Sequence, residues 1–201
     1  NSYKTNKTDM TNGVNKIIPP HGGYRNLKSY QTTTLIYDFT TEFCKRYIDT
    51  TYGINKTYWN RPADQMVQAD RSGRQNIAEG SQVSGTSRKS ELKLVGVARG
   101  SLEELLIDYE DFLRQRNFVQ WGKDSSEASA VRVLAYRRDR SYESYRSYLA
   151  SPAGAANMMI CLIHQANYLL DRQLQSLEKQ FLEEGGFTER LYNARKAYRS
   201  Y

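Results

Sequence analysis

The sequence predicts an all-α protein. The expected architecture is an antiparallel up-down-up-down four-helix bundle with an inserted linker between helices three and four and a short C-terminal helical extension. Three observations carry this expectation. Four segments repeat their apolar residues at steps of three and four, the period of a helix face. Only four of 201 residues are proline, and long stretches hold none. No stretch alternates at period two over a useful length, so no sheet is expected. Four long amphipathic segments bury their stripes most economically against one another.

Residues 1–23 combine Asn, Thr and Lys with prolines and glycines and little apolar content. They predict a disordered or loosely docked arm ahead of a bundle over 24–186. The first helix is expected over 27–52, free of Gly and Pro. Ile36, Phe39, Phe43 and Tyr47 form its inner row, Tyr37, Cys44, Ile48 and Tyr52 a second row, and Gly53 supplies a stop. So wide an apolar face predicts a second interface and hence self-association. The second helix, 62–83, opens at Asn60-Arg61-Pro62, with the proline in the first turn. Its row of Met66, Gly73, Ile77 and Gly80 is poor in bulk and predicts close approach of a neighbouring helix.

Ser84-Gly85-Thr86-Ser87 reads as a turn in which Thr86 or Ser87 caps the next helix. That third helix, 88–116, keeps Leu92, Val95, Ala98, Leu102, Leu105, Tyr109 and Phe112 in register throughout. The insert, 117–150, has capping-box logic from Asp124 to Glu127 and a short helix around Val131, Leu134 and Ala135. The fourth long helix, 151–184, opens on Ser151-Pro152. It carries a heptad-like seam from Ala156 through Asn167 to Phe181 and ends at Gly185-Gly186. Thr188 is placed to cap a last short helix in the basic extension 187–201.

The net charge is +7, unevenly spread: +3 over 1–26, +1 over 27–119, +2 over 120–150, −2 over 151–186 and +3 over 187–201. A basic excess at both ends and in the insert predicts an anionic partner, with RNA or single-stranded DNA first. The mean hydropathy is −0.75 and no run of about 18 apolar residues exists, which argues against a transmembrane helix. The polar stretch from Asn1 to Pro20 does not read as a secretory leader. Cys44 and Cys161 are too few for a disulfide scaffold. A cytoplasmic, membrane-free protein is expected.

Two motifs carry a resemblance. Asn76-Ile77-Ala78-Glu79-Gly80 on the second helix is followed on the third by Ala98-Arg99-Gly100-Ser101-Leu102-Glu103-Glu104-Leu105. Over about residues 24–118 the chain resembles the bacterial four-helix-bundle family of proteins encoded in intervening sequences of large-subunit ribosomal RNA genes. That family includes the accessory variability determinant (Avd) proteins of diversity-generating retroelements. Arg71-Ser72-Gly73-Arg74-Gln75 departs from the family's usual small-residue run. Ala166-Asn167-Tyr168-Leu169-Leu170-Asp171 and Glu184-Gly185-Gly186-Phe187-Thr188-Glu189-Arg190 are similar to a subfamily with a C-terminal suffix region. The resemblance implies a ring-like homopentamer and no catalytic activity. For Avd it implies a basic surface for nucleic acid and a reverse transcriptase partner.

The residues themselves suggest where such contacts lie. In the insert, Arg132, Arg137, Arg138, Arg140 and Arg146 interleave with Tyr136, Tyr142, Tyr145 and Tyr148. The extension repeats the mixture with Arg190, Tyr192, Arg195, Lys196, Tyr198, Arg199 and Tyr201. Arg88, Lys89 and Lys93 add a basic patch opposite the third helix's seam. Arginine forks onto phosphate and tyrosine stacks on exposed bases, a contact suited to single strands with little sequence preference. Arg and Tyr also dominate protein hot spots, so a protein interface is the alternative.

Asn76 with Glu79, and Ser101 with Glu104, are spaced to share helix faces. With Arg71 and Arg99 as counter-charges they read as a polar clasp between helices two and three rather than an acid–base pair. Cys161 and His164 share a face, but only His21 and Cys44 remain as further soft ligands, too few for a stable zinc site. No metal, cofactor or catalytic residue is expected: nucleophile elbows, Glu-x-x-His pairs and phosphate-binding glycine loops are all missing from the sequence.

Overall fold

The structure, a computed structural model, describes residues 18–48, 61–137 and 141–199. Among the described residues every regular element is helical and no strand occurs. The major elements are α1 (Lys28–Phe43), α2 (Arg61–Val83), α3 (Arg88–Gln115), α4 (Ser126–Leu134), α5 (Pro152–Glu184) and α6 (Phe187–Arg199). A π turn, Cys44–Ile48, extends α1, and a run of 3-10 helix, Tyr142–Ala150, precedes α5.

α1 buries Thr32, Thr33 and Thr40 beside Ile36, Phe39 and Phe43. Thr32 and Thr33 tolerate burial because their hydroxyls donate to the carbonyls of Lys28 and Tyr30 at 2.8 and 2.9 Å. α3 starts where Ser87 accepts the Ser90 N–H at 3.1 Å, and α5 where Ser151 accepts the Gly154 N–H at 3.1 Å with Pro152 behind it.

The long helices form a closed set of neighbours: α1 packs on α2, α2 on α3, α3 on α5 and α5 on α1. Each neighbouring pair runs antiparallel. Cys44 meets Ala63 while Arg74 lies over the Tyr37 ring, so α2 descends as α1 rises. Gly73 faces Leu102 and Gly80 faces Val95. Arg88 binds Glu184, Arg99 binds Asp171 and Asn167 binds Glu103. Ser29 donates to Gln173 near one end of α1, and Tyr47 reaches Leu149 near the other.

The α2–α3 seam is tight because glycine lines it. A Cβ at Gly73 would lie 3.2 Å from Leu102 Cδ2. Inside, Phe43 meets Tyr109 at 4.9 Å and Phe112 at 4.7 Å, both edge-on. Full burial of each such side chain contributes roughly 1.5–3 kcal/mol.

The wide face of α1 is consumed within the chain. Phe39 stacks on Tyr142 at 4.1 Å, Cys44 is buried against α2, and Tyr37 lies under Arg74. Its width is therefore no argument for a second copy. Tyr52, Gly53 and Asn60 lie outside the described residues.

The insert folds back as a cap. α4 and the 3-10 run pack on α5, and Asn157 of α5 holds the connecting loop through the Trp121 N–H at 2.7 Å and the Val119 carbonyl at 3.0 Å. Of the expected arm, residues 18–23 lie across the α2–α3 turn. Gly22 donates to the Ser81 carbonyl at 2.9 Å, and Ile18 and His21 flank Gly85. The rest of the arm is outside the described residues. No helix among the described residues is long and apolar enough to cross a membrane.

Candidate nucleic-acid interface

The structure divides the Arg/Tyr residues sharply. In the insert, Ser125 rather than Asp124 caps α4, accepting the Ala128 N–H at 3.1 Å. Ala128 and Val131 then face inward. This turns Arg132 back along its own element, where it donates to the Lys123 carbonyl at 2.6 Å and to Ser129 at 2.9 Å. Tyr142 gives a ring face to Phe39, Tyr145 is wholly buried, and Tyr148 meets Trp121 edge-on. Tyr145 is sealed from any base, and Tyr142 has lost one stacking face to the core. Arg146 pairs with Glu143 at 3.3 Å on the surface. Tyr136 is 89% exposed and Arg137 is exposed, whereas Arg138 and Arg140 lie outside the described residues. The insert is thus mainly a packing element, on which Tyr136 and Arg137 are solvent-exposed.

The extension is different. Gly185, at φ +67°, turns the chain out of α5, and the Glu189 carboxylate accepts the Gly186 N–H to start α6. The helix begins one residue before Thr188, so the capping side chain is Glu189 and not the expected threonine. α6 holds no buried residue. Phe187, Arg190, Leu191 and Ala194 are half-covered along one stripe. Tyr192 and Tyr198 are 67% and 86% exposed, and Arg195, Lys196 and Arg199 face solvent. The Nε and Nη2 atoms of Arg190 are shielded from solvent and meet no hydrogen-bond acceptor.

α6 follows the end of α5, which lies beside the start of α3. Arg88 ties α3 to that end of α5, donating to Gln180 at 2.7 Å and Glu184 at 2.5 Å. Arg88 is therefore committed to α5, while Lys89 and Lys93 stay exposed. Lys89 and Lys93 lie at the end of the molecule from which α6 departs.

The polar clasp is smaller than expected. Ser72 and Ser101 share a hydrogen bond at 2.9 Å, and Asn76 donates to the Ser72 carbonyl at 2.8 Å. Arg71, Glu79 and Glu104 face solvent. Arg99 turns away from α2 to Glu103 at 2.6 Å and Asp171 at 3.2 Å. The clasp is a neutral hydroxyl–amide contact, with Ser72 as the member that pattern reading passed over. Among the described residues no group of three His, Cys, Asp or Glu side chains is placed to hold a metal; Cys161 is half-buried and His164 exposed.

A second overlooked residue is Asp70. It is fully buried on α2 facing α1 and α3, and neither carboxyl oxygen has a hydrogen-bond partner. Burial pushes its pKa up to about 8, with the Thr40 hydroxyl and the Arg74 charge pulling it back and the Asp38 charge adding to the rise. Thr40 already accepts the Tyr109 hydroxyl at 3.1 Å. The signal was present in the spacing, since Asp70 falls between Met66 and Gly73 on the inward row.

What these features define is an all-helical protein with a basic, tyrosine-bearing helical end. The chain matches no protein-family profile, no curated protein and no solved structure.

Proposed function

We propose that the protein is a non-enzymatic, oligomeric accessory protein that binds RNA or single-stranded DNA through backbone phosphates, with little sequence specificity. In this reading the long helices form an antiparallel up-down-up-down four-helix bundle, supported by the antiparallel run of each neighbouring pair. The resemblance to the rRNA intervening-sequence and Avd family supports the same architecture and a cytoplasmic setting. The observation that carries the binding role is α6, a helix with no buried residue on which Tyr192, Arg195, Lys196, Tyr198 and Arg199 are exposed. Arginine forks and lysine charges neutralise phosphates, and each tyrosine stacked on a base adds ~1–3 kcal/mol.

The test is fluorescence anisotropy of a short labelled single strand across a salt series. Log affinity is expected to fall with log salt by about 0.7 for each phosphate neutralised. An affinity unchanged between low and moderate salt overturns the reading. The packed tyrosines of the insert favour a second reading, a scaffold whose remaining Arg/Tyr surface meets a protein such as a reverse transcriptase. Arg→Lys replacement in α6 separates the two: phosphate contacts largely survive it, and forked or stacked protein contacts do not.

A further inference from the structure

α6 carries +3 over its length and is a poor candidate to stand alone. Thirteen residues make a helix marginal in water unless one face is covered, and here no residue is buried. Far along α3 lies a complementary surface. Gln65, Gln68, Ala69 and Ser72 of α2, with Glu104 and Asp108 of α3, line a groove. Beside it Ile107 and Val97 are 52% and 43% exposed.

The groove's carboxylates lack counter-charge. Among the described residues neither Glu104 nor Asp108 forms an ion pair, whereas Asp111 is held by Arg114 and Glu103 by Arg99. Partial burial raises the pKa of Asp108, and the charges of Asp111 and Glu104 raise it further. On a protein of net charge +7 the groove thus presents two neighbouring carboxylates to a basic partner.

We propose that, in protein free of nucleic acid, α6 of one copy lies in the acidic groove between α2 and α3 of a second copy. Arg195 and Arg199 approach Glu104 and Asp108, and Tyr192 covers the exposed apolar rim. A single chain does not satisfy this contact within itself. α6 leaves the bundle at the Arg88 end and extends about 20 Å, while Asp108 lies about 30 Å along α3 from Arg88. The two surfaces are unlike, so the association is heterologous and joins copies head to tail. Phosphates and the groove carboxylates are alternative anions for the same arginines, so an oligonucleotide competes with the contact. The proposal shares α6 with the nucleic-acid reading, but the groove belongs to it alone.

Light-scattering mass of nuclease-treated protein on a size-exclusion column tests it. The wild type is expected to exceed the single-chain 23.2 kDa at low salt and to approach it as salt rises. Glu104→Lys/Asp108→Lys and Arg195→Glu/Arg199→Glu each weaken association about tenfold or more and shift the mass toward one chain. An equimolar mixture of the two variants, whose charges are swapped, restores the larger mass. Unchanged far-UV circular dichroism shows that both variants still fold. A single-chain wild type, a mass indifferent to both variants, or a mixture that stays dissociated overturns the proposal. The two readings fail separately. Arg195→Glu/Arg199→Glu protein that loses oligonucleotide but keeps its mass leaves only nucleic-acid binding standing. A mass that responds as stated in protein that never binds oligonucleotide leaves only the groove contact.

Discussion

Tyr145 has no exposed surface and meets Phe39 edge-on at 6.2 Å, while Tyr136, earlier in the same insert, is 89% exposed. The two are therefore expected to respond oppositely to truncation. Tyr145→Ala should lower unfolding free energy by about 3–5 kcal/mol, the usual loss for a large buried aromatic. Tyr136→Ala should stay within about 0.5 kcal/mol. Urea unfolding of the pair checks this, and a small loss at Tyr145 contradicts its packing role. Asp70 gives a pH prediction. Its folded pKa, about 8, lies above the ordinary 3.8, so the folded chain keeps a proton that the unfolded chain releases. The contribution of Asp70 to stability is then full below about pH 4 and is lost as pH rises toward 8. Asp70→Asn removes the ionisable group. Its melting temperature should fall less over that window than the wild type's. A wild-type profile as flat as the variant's contradicts a neutral buried Asp70.

Glycine has opposite roles in α2 and α3. A Cβ at Gly73 would crowd Leu102 at 3.2 Å, whereas one at Gly96 or Gly100 would meet nothing within 4 Å. Alanine is the better helix former by roughly 0.5–1 kcal/mol. Gly96→Ala and Gly100→Ala should therefore stabilise by that amount. Gly73→Ala gains the same propensity but crowds a fully buried leucine, and a net loss of about 1 kcal/mol is expected. Chemical denaturation of the three variants reads both signs. The insert also behaves as an element with a job of its own. Its tyrosines and Val131 cover α1 and α5, and Asn157 fastens its loop. The sequence pattern that suggested a binding strip there was a packing pattern seen without its partner surface.

Over the whole molecule, exposed basic residues occur at both ends: Lys89 and Lys93 at the start of α3, and Lys45, Arg46, Arg114 and Arg116 at the far ends of α1 and α3. Glu104 and Asp108 line the groove between α2 and α3. Because α6 buries no residue, removing 187–199 should leave the melting temperature within about 2 °C. The same truncation should sharply reduce oligonucleotide affinity at low salt, as read by anisotropy. A large fall in melting temperature would show that α6 is part of the fold instead of an appendage to it.

The sequence by itself determined the helical class and most helix positions. Period, caps and glycine stops are local signals: Ser87, Ser151 with Pro152, and Gly185 mark boundaries without reference to anything distant. It also predicted close approach of a neighbouring helix from the small residues Gly73 and Gly80, and the structure shows that helix to be α3. Tertiary structure alone decided which polar and aromatic side chains remain available. Arg132, Arg88 and Arg99 are occupied by acceptors that are either distant in sequence or reached by a backward turn. Tyr142 and Tyr145 are occupied by Phe39, about a hundred residues away. Spacing fixes which face of a helix a residue occupies. What covers that face depends on how the helices are placed in three dimensions, and one-dimensional periodicity carries no information about that.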